Sequence, residues 1–155
     1  MTGAKTPEEM AAVFVQMAQA KAGLSLDYSM DSLAQVDALI GGFHDNGDRS
    51  DALAGVVTVT GAYVGEVLRR ALGASWVPAA ESQMMQSDIS QEMMLGTMRF
   101  LPAAKVAKRL DNGPEDDLMF YAKVLMNRAA GDPLPDGGGG TSAKPKGFFG
   151  RLFGR

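Results

Sequence analysis

Residues 50–73 read Ser50-Asp51-Ala52-Leu53-Ala54-Gly55-Val56-Val57-Thr58-Val59-Thr60-Gly61-Ala62-Tyr63-Val64-Gly65-Glu66-Val67-Leu68-Arg69-Arg70-Ala71-Leu72-Gly73, and the period of their apolar side chains decides the fold class. Leu53, Val57, Gly61, Val64, Leu68 and Leu72 recur at steps of three and four, the spacing that gathers side chains on one face of a helix. The β-branched run from Val56 to Thr60 would suit a strand, but the stripe passes through it with no change of period. The stretch therefore predicts one long helix over 50–72, its apolar face toward a core, closed by Gly73. Gly55, Gly61 and Gly65 each cost about 1 kcal/mol against alanine inside a helix. Their presence predicts another element crossing closely over that face.

Upstream, Thr6-Pro7-Glu8-Glu9 sets a capping hydroxyl, a first-turn proline and two acids where a helix amino terminus favours them. Met10, Val13, Phe14, Met17 and Ala18 follow at helical spacing and stop at Gly23. The alternation in Leu24-Ser25-Leu26-Asp27-Tyr28-Ser29 predicts a short strand or extended lead-in. Ser29 or Asp31 then caps a second helix bearing Leu33, Val36, Asp37, Leu39, Ile40 and Phe43, which ends at Asn46-Gly47.

Downstream, Ser75 to Val77 and Met93 to Leu101 read as strands, the second stopped by Pro102. A short helix over 103–110 ends at the turn Asp111-Asn112-Gly113, and Pro114-Glu115-Asp116-Asp117 opens a last helix carrying Leu118, Tyr121, Ala122, Leu125 and Met126. The pattern is that of a mostly helical α+β domain with a small sheet of two to four strands packed on helices.

At 155 residues, 46% hydrophobic and 21% charged, the chain has room for one ordinary domain. Residues 1–130 form that domain in this reading. Residues 131–146, with Pro133, Pro135, Pro145 and the run Gly137 to Gly140, read as a flexible linker. Residues 147–155 are a separate tail. The net charge of −3 hides an asymmetry: residues 141–155 hold Lys144, Lys146, Arg151 and Arg155 with no acid, so they carry +4 and the rest −7.

The absence of cysteine excludes disulfides, thiolate catalysis, iron–sulfur clusters and every cysteine-containing zinc site. One histidine leaves too few ligands for a transition-metal centre, so no metal and no cofactor is expected. The start of the chain runs into Glu8 and Glu9 without an apolar leader, and the uncharged run from Ala52 stops at Glu66, short of the ~20 residues a spanning helix needs. A cytoplasmic location is the expectation, with the tail able to bring the chain to the inner membrane leaflet.

Two groups of residues carry a resemblance. Leu26-Asp27-Tyr28-Ser29, Ser32-Leu33 and Val36-Asp37 precede Gly61-Ala62-Tyr63-Val64-Gly65-Glu66-Val67, Arg70, Gly73 and Trp76; Phe100-Leu101-Pro102, Val106, Lys108-Arg109-Leu110 and Asn112-Gly113-Pro114-Glu115-Asp116 come later. Over residues 24–126 the chain resembles a family of small uncharacterised bacterial domains, most specifically in the Gly-Ala-Tyr-x-Gly-Glu element. The resemblance implies a bacterial cytosolic domain and brings no activity or catalytic residue with it.

Among candidate residues, His44 at the end of the second helix complements the helix dipole, and no Gly-x-Ser-x-Gly element supplies it with a nucleophile. Glu66, beside Tyr63 in mid-helix, is either a buried acid with a raised pKa able to accept a proton or a partner of Arg69 and Arg70 three and four residues on. The pairing is the simpler reading. Trp76 reads as a core anchor, and Tyr63, Glu66 and Trp76 together are the residues of a possible pocket. Asp88 and Glu92, like charges four apart in a polar stretch, read as solvated. Gly61-x-x-x-Gly65 lacks the lysine and hydroxyl of a phosphate loop and is better explained by helix packing. Lys105, Lys108 and Arg109 make one basic turn on an acidic body, which predicts no nucleic-acid binding. Met84, Met85, Met93, Met94 and Met98 suit a core or an adaptable surface, and adjacent pairs on a strand cannot both face inward.

The tail carries the strongest signal. Phe148, Phe149, Leu152 and Phe153 fall on one side of a short helical projection, with Arg151 and Arg155 on another. Covering four such side chains is worth about 1.5–3 kcal/mol each. The expectation is an interaction or adaptor module that docks through this peptide on a protein partner, an anionic membrane surface or its own domain. Two other readings stand beside it: a small enzyme or ligand-binding domain using Tyr63 and Glu66 in a cleft, and an oligomeric structural component using the methionine-rich surface.

Overall fold

A computed structural model describes residues 6–81 and 91–129. The first helix, α1 (Pro7–Ala22), starts as its local chemistry dictates. Thr6 Oγ1 accepts the Glu9 N–H at 3.1 Å, Glu9 Oε1 accepts the Thr6 N–H at 2.8 Å, and Gly23 closes the helix at φ 68°. The predicted strand after it does not form. Leu24–Ser29 runs as an irregular connection in which Tyr28 takes the left-handed conformation at φ 65°. Of the two expected caps for α2 (Ser32–Asp45), Ser29 is the one used: its Oγ accepts the Ser32 N–H at 3.1 Å, while Asp31 makes no such bond.

The decisive helix, α3 (Ala54–Leu72), begins four residues later than its pattern predicts. Ser50 gives both its N–H and its hydroxyl to Asp111, at 2.7 and 2.6 Å, which holds the preceding turn in place outside the helix. The apolar stripe faces inward as expected, yet burial goes further, because every residue from Thr60 to Leu68 is covered on all sides. α3 is thus the central post of the domain. Thr60 satisfies its buried hydroxyl by donating to the Val56 carbonyl at 2.6 Å.

β1 (Ser75–Trp76), β2 (Met93–Leu95) and β3 (Met98–Phe100) form an antiparallel three-stranded sheet in that order, with Met93 opposite both Trp76 and Phe100. The continuous strand expected over 93–101 instead folds back at Gly96-Thr97, where Gly96 adopts φ 64°. A glycine at the first position of a two-residue hairpin loop takes that angle without steric cost.

α4 (Pro102–Asn112) extends two residues past its expected end into Asp111-Asn112 before Gly113 stops it. α5 (Leu118–Ala129) starts later than expected: Pro114–Asp116 makes a separate tight turn, and Asp117 Oδ1 caps α5 by accepting from the Met119 and Phe120 N–H groups at 2.7 and 3.2 Å. α1 and α4 pack against α3, and α2 lies on α4 and α5. The core they enclose is centred on Phe14, Leu33, Ile40, Tyr63, Leu68, Met93, Leu110, Leu118 and Leu125. The domain is mostly helical α+β with a small sheet. Among the described residues no helix is long and apolar enough to cross a membrane.

Two of the three flagged glycines mark close crossings. A Cβ on Gly61 would lie 2.6 Å from the Ala103 Cα of α4, and one on Gly65 would collide with the Trp76 ring. Gly55 faces open space and marks no crossing.

Candidate functional site

Glu66 lies on α3 with no exposed surface, and every group around its carboxylate is a donor or a cation. Arg69 reaches it through two parallel bonds, Nε to Oε2 and Nη2 to Oε1, both 2.9 Å; the Trp76 indole N–H donates to Oε2 at 2.8 Å; Arg70 Nη2 stands 3.7 Å from Oε1. Burial alone pushes this carboxyl up. The hydrogen bonds from Arg69 and Trp76 and the charges of Arg69 and Arg70 outweigh that effect and hold it below its ordinary value of 4.5. A carboxylate so engaged is ionised and committed to its donors, which removes the raised pKa that a proton-accepting role would need. The pairing with Arg69 and Arg70 is the arrangement the structure contains.

Tyr63, one turn earlier, is also fully buried. Its hydroxyl accepts the Tyr28 N–H at 2.9 Å and lies 2.7 Å from Ser32 Oγ. Ser32 Oγ gives its own hydrogen to the Ser29 carbonyl at 2.6 Å, so the Tyr63 hydroxyl is the donor in the contact between the two side chains. Burial raises the Tyr63 pKa. Of the residues named for a possible pocket, Tyr63 and Glu66 have no exposed surface, and the polar atoms of all three face protein partners. Trp76 is half-buried, packed over Gly65 rather than at the centre of the core.

These residues belong to a stack that runs from the interior to the surface. The Phe14 and Tyr63 ring centroids are 5.5 Å apart, those of Tyr63 and Tyr28 are 4.9 Å apart, and the Arg70 guanidinium carbon lies 3.8 Å from the Tyr28 centroid. Arg70 ends the stack with its side chain 47% exposed. The left-handed backbone at Tyr28, held by the hydroxyl of Tyr63, turns its ring into this position. Sequence periodicity gives no sign of it, because the residue that fixes the turn lies 35 positions away.

Several other charged residues form buried or partly buried pairs. Glu92, read as solvated, is fully buried and accepts from Arg99 at 2.6 Å; Asp88 lies outside the described residues. The basic turn on α4 does not form a surface patch: Lys105 is buried against Asp116 at 2.7 Å, and Arg109 is buried against Asp37, Nε to Oδ1, at 2.8 Å. Asp37 also accepts the Leu118 N–H at 2.9 Å, so one carboxylate joins α2, α4 and α5. His44 is bonded through Nδ1 to the Leu110 carbonyl at 2.7 Å, in the last turn of α2. Among the described residues no group of three or more acids and histidines is placed to hold a metal.

Met93 is fully buried and Met94 and Met98 are half-buried, while Met84 and Met85 lie outside the described residues. A pocket of about 310 Å³ opens between Leu72, the hairpin at Leu95 to Met98, and Arg128-Ala129 at the end of α5. The linker and the tail, with Phe148, Phe149, Arg151, Leu152, Phe153 and Arg155, lie outside the described residues. Comparison of the chain with protein-family models, with curated proteins and with solved structures returns no match in any of the three.

Proposed function

We propose that the chain is an interaction module whose folded body presents a carboxyl-terminal docking peptide. One observation carries the reading: the last fifteen residues, 141–155, combine four cations and no acid with Phe148, Phe149, Leu152 and Phe153, beyond a segment of prolines and glycines. Cationic side chains on one side of such a peptide and aromatic ones on the other match an anionic lipid surface, where each adds to the other. The commitment of Glu66 to Arg69, Arg70 and Trp76 supports this reading over an enzyme built on Tyr63 and Glu66, since the only acid in that constellation is already engaged.

The test is co-sedimentation of the full chain with vesicles containing anionic lipid, set against vesicles of neutral lipid. Replacing Phe148, Phe149, Leu152 and Phe153 by serine should abolish sedimentation with anionic vesicles and leave the thermal unfolding of the body unchanged. Equal sedimentation of the substituted and native chains would exclude the tail as the docking element. Binding to neither type of vesicle, together with tail-dependent capture of a protein, would move the partner from lipid to protein.

A further inference from the structure

Arg70 is assembled in a way that its contribution to Glu66 does not explain. Arg69 makes both short bonds to that carboxylate, whereas Arg70 stays 3.7 Å away and forms no hydrogen bond among the described residues. The Arg70 guanidinium instead lies over the ring of Tyr28, which also packs against the tilted ring of Tyr63. A guanidinium packed over an aromatic ring has less rotamer freedom left to lose on binding. Arranging this platform costs a left-handed backbone at a tyrosine, a conformation that bulky residues rarely take and that tends to persist at ligand-holding positions.

Arg69, Arg70 and Trp76 surround Glu66 at the end of α3, with Tyr28 against Arg70, and all four are half-buried or exposed. Tyrosine, tryptophan and arginine are the residue types that dominate binding energy where a surface is covered. We propose that Arg70, held over the Tyr28 ring beside Arg69 and Trp76, anchors a second binding surface that receives a ligand carboxylate. The fork of the guanidinium matches the two oxygens of a carboxylate, and Glu66 and Glu8 offset enough of the local positive charge to favour a single negative charge over a phosphate dianion. The carboxylate comes from a free small acid or from an acidic peptide side chain, and both share this chemistry. Its residues all lie between Tyr28 and Trp76, outside the carboxyl-terminal segment.

The experiment is an NMR titration of the full chain at constant ionic strength with acetate, with a hexaglutamate peptide and with inorganic phosphate. Saturable shifts of the Arg70 Nε–H, the Tyr28 amide and the Trp76 indole N–H are expected with a carboxylate. Saturation by acetate identifies a free acid as sufficient; saturation by the peptide alone identifies an acidic segment. Arg70→Ala should abolish the shifts, and Arg70→Lys, which keeps the charge and loses the fork, should weaken binding at least tenfold. Arg128→Ala, a cation on α5 outside the cluster, should leave binding unchanged. The proposal is overturned by the absence of saturable shifts with either carboxylate, by Arg70→Lys binding as tightly as the native chain, by equal weakening in Arg128→Ala, or by phosphate binding more tightly than both carboxylates. Far-ultraviolet circular dichroism confirms that each variant is folded.

Discussion

The indole N–H of Trp76 donates to Glu66 Oε2 at 2.8 Å, and this bond ties the start of the sheet to the last turns of α3. The glycine at position 65 makes it possible, because any Cβ there would occupy the space of the indole ring. A small residue, a carboxylate and an indole thus form one unit: Gly65 admits the ring, the ring reaches Glu66, and Glu66 holds Arg69 in a two-bond fork. The acid that a sequence reading singles out for chemistry is used here to join two elements.

Acid should weaken the fold through this unit. The folded-state pKa of Glu66 lies below its ordinary 4.5, so its stabilising contribution is fully present above that value and is lost as the pH falls through the folded pKa. Glu66→Gln removes the charge and opposes its amide N–H₂ to donors. At pH 7 it should cost about 1–3 kcal/mol in urea unfolding. Below pH 4.5 the difference between native and variant stability should shrink, and Trp76 fluorescence should report the altered indole environment throughout. A constant difference across the acid range would show that Glu66 titrates as it does in the unfolded chain.

The three glycines of α3 should separate by what faces them. Gly61→Ala places a methyl against the Ala103 backbone, which cannot move without shifting α4, and should destabilise by about 1–3 kcal/mol. Gly65→Ala should cost a similar amount and shift Trp76 fluorescence, because the ring must leave Glu66. Gly55→Ala meets open space near the start of the helix and should stabilise by up to about 1 kcal/mol. Thermal melts of the three variants check the order.

Asp37→Ala should be the most damaging of the charge removals. It deprives buried Arg109 of its carboxylate and leaves the Leu118 N–H without its acceptor, at a point where Arg109 Nη1 already lacks a partner. Breaking a buried pair from one side costs about 3–5 kcal/mol. The exposed Asp51→Ala should stay within about 0.5 kcal/mol of the native chain. Equal midpoints for the two variants in urea would mean that the Asp37–Arg109 pair adds nothing.

What the sequence made legible follows the reach of each interaction. Thr6 and Glu9 cap α1 across three residues, and the stripe of α3 repeats every turn, so both can be read from neighbours. Gly61 and Gly65 could be read as close approaches, since a helix tolerates them only for packing; Gly55 obeyed the same rule and was a false signal. Glu92 and Lys105 looked like surface charges because their partners, Arg99 and Asp116, lie seven and eleven positions away, and Arg109 finds Asp37 at a separation of 72. Pairs of that range are set by how the helices pack, and no local pattern records them. Tyr28 was hidden for the same reason, and with it the exposed end of the aromatic stack.

That stack yields the last prediction. The Tyr63 hydroxyl is the acceptor for the Tyr28 N–H and the donor to Ser32 Oγ, so Tyr63→Phe removes both bonds without changing the ring that packs on Phe14. The loss should be about 1–3 kcal/mol, most of it from a part-buried N–H left without a partner. Nothing would then hold Tyr28 at φ 65°, and its ring should leave the face of Arg70. Ser32→Ala removes one of the two bonds, together with its own bond to the Ser29 carbonyl. The double variant should fall short of the sum of the two single losses by about 0.5 kcal/mol or more, because the Tyr63–Ser32 contact is lost in either single variant. Full additivity of the two single losses would show that the hydroxyls act independently and that the bond to the Tyr28 N–H, rather than the chain of three, fixes the turn.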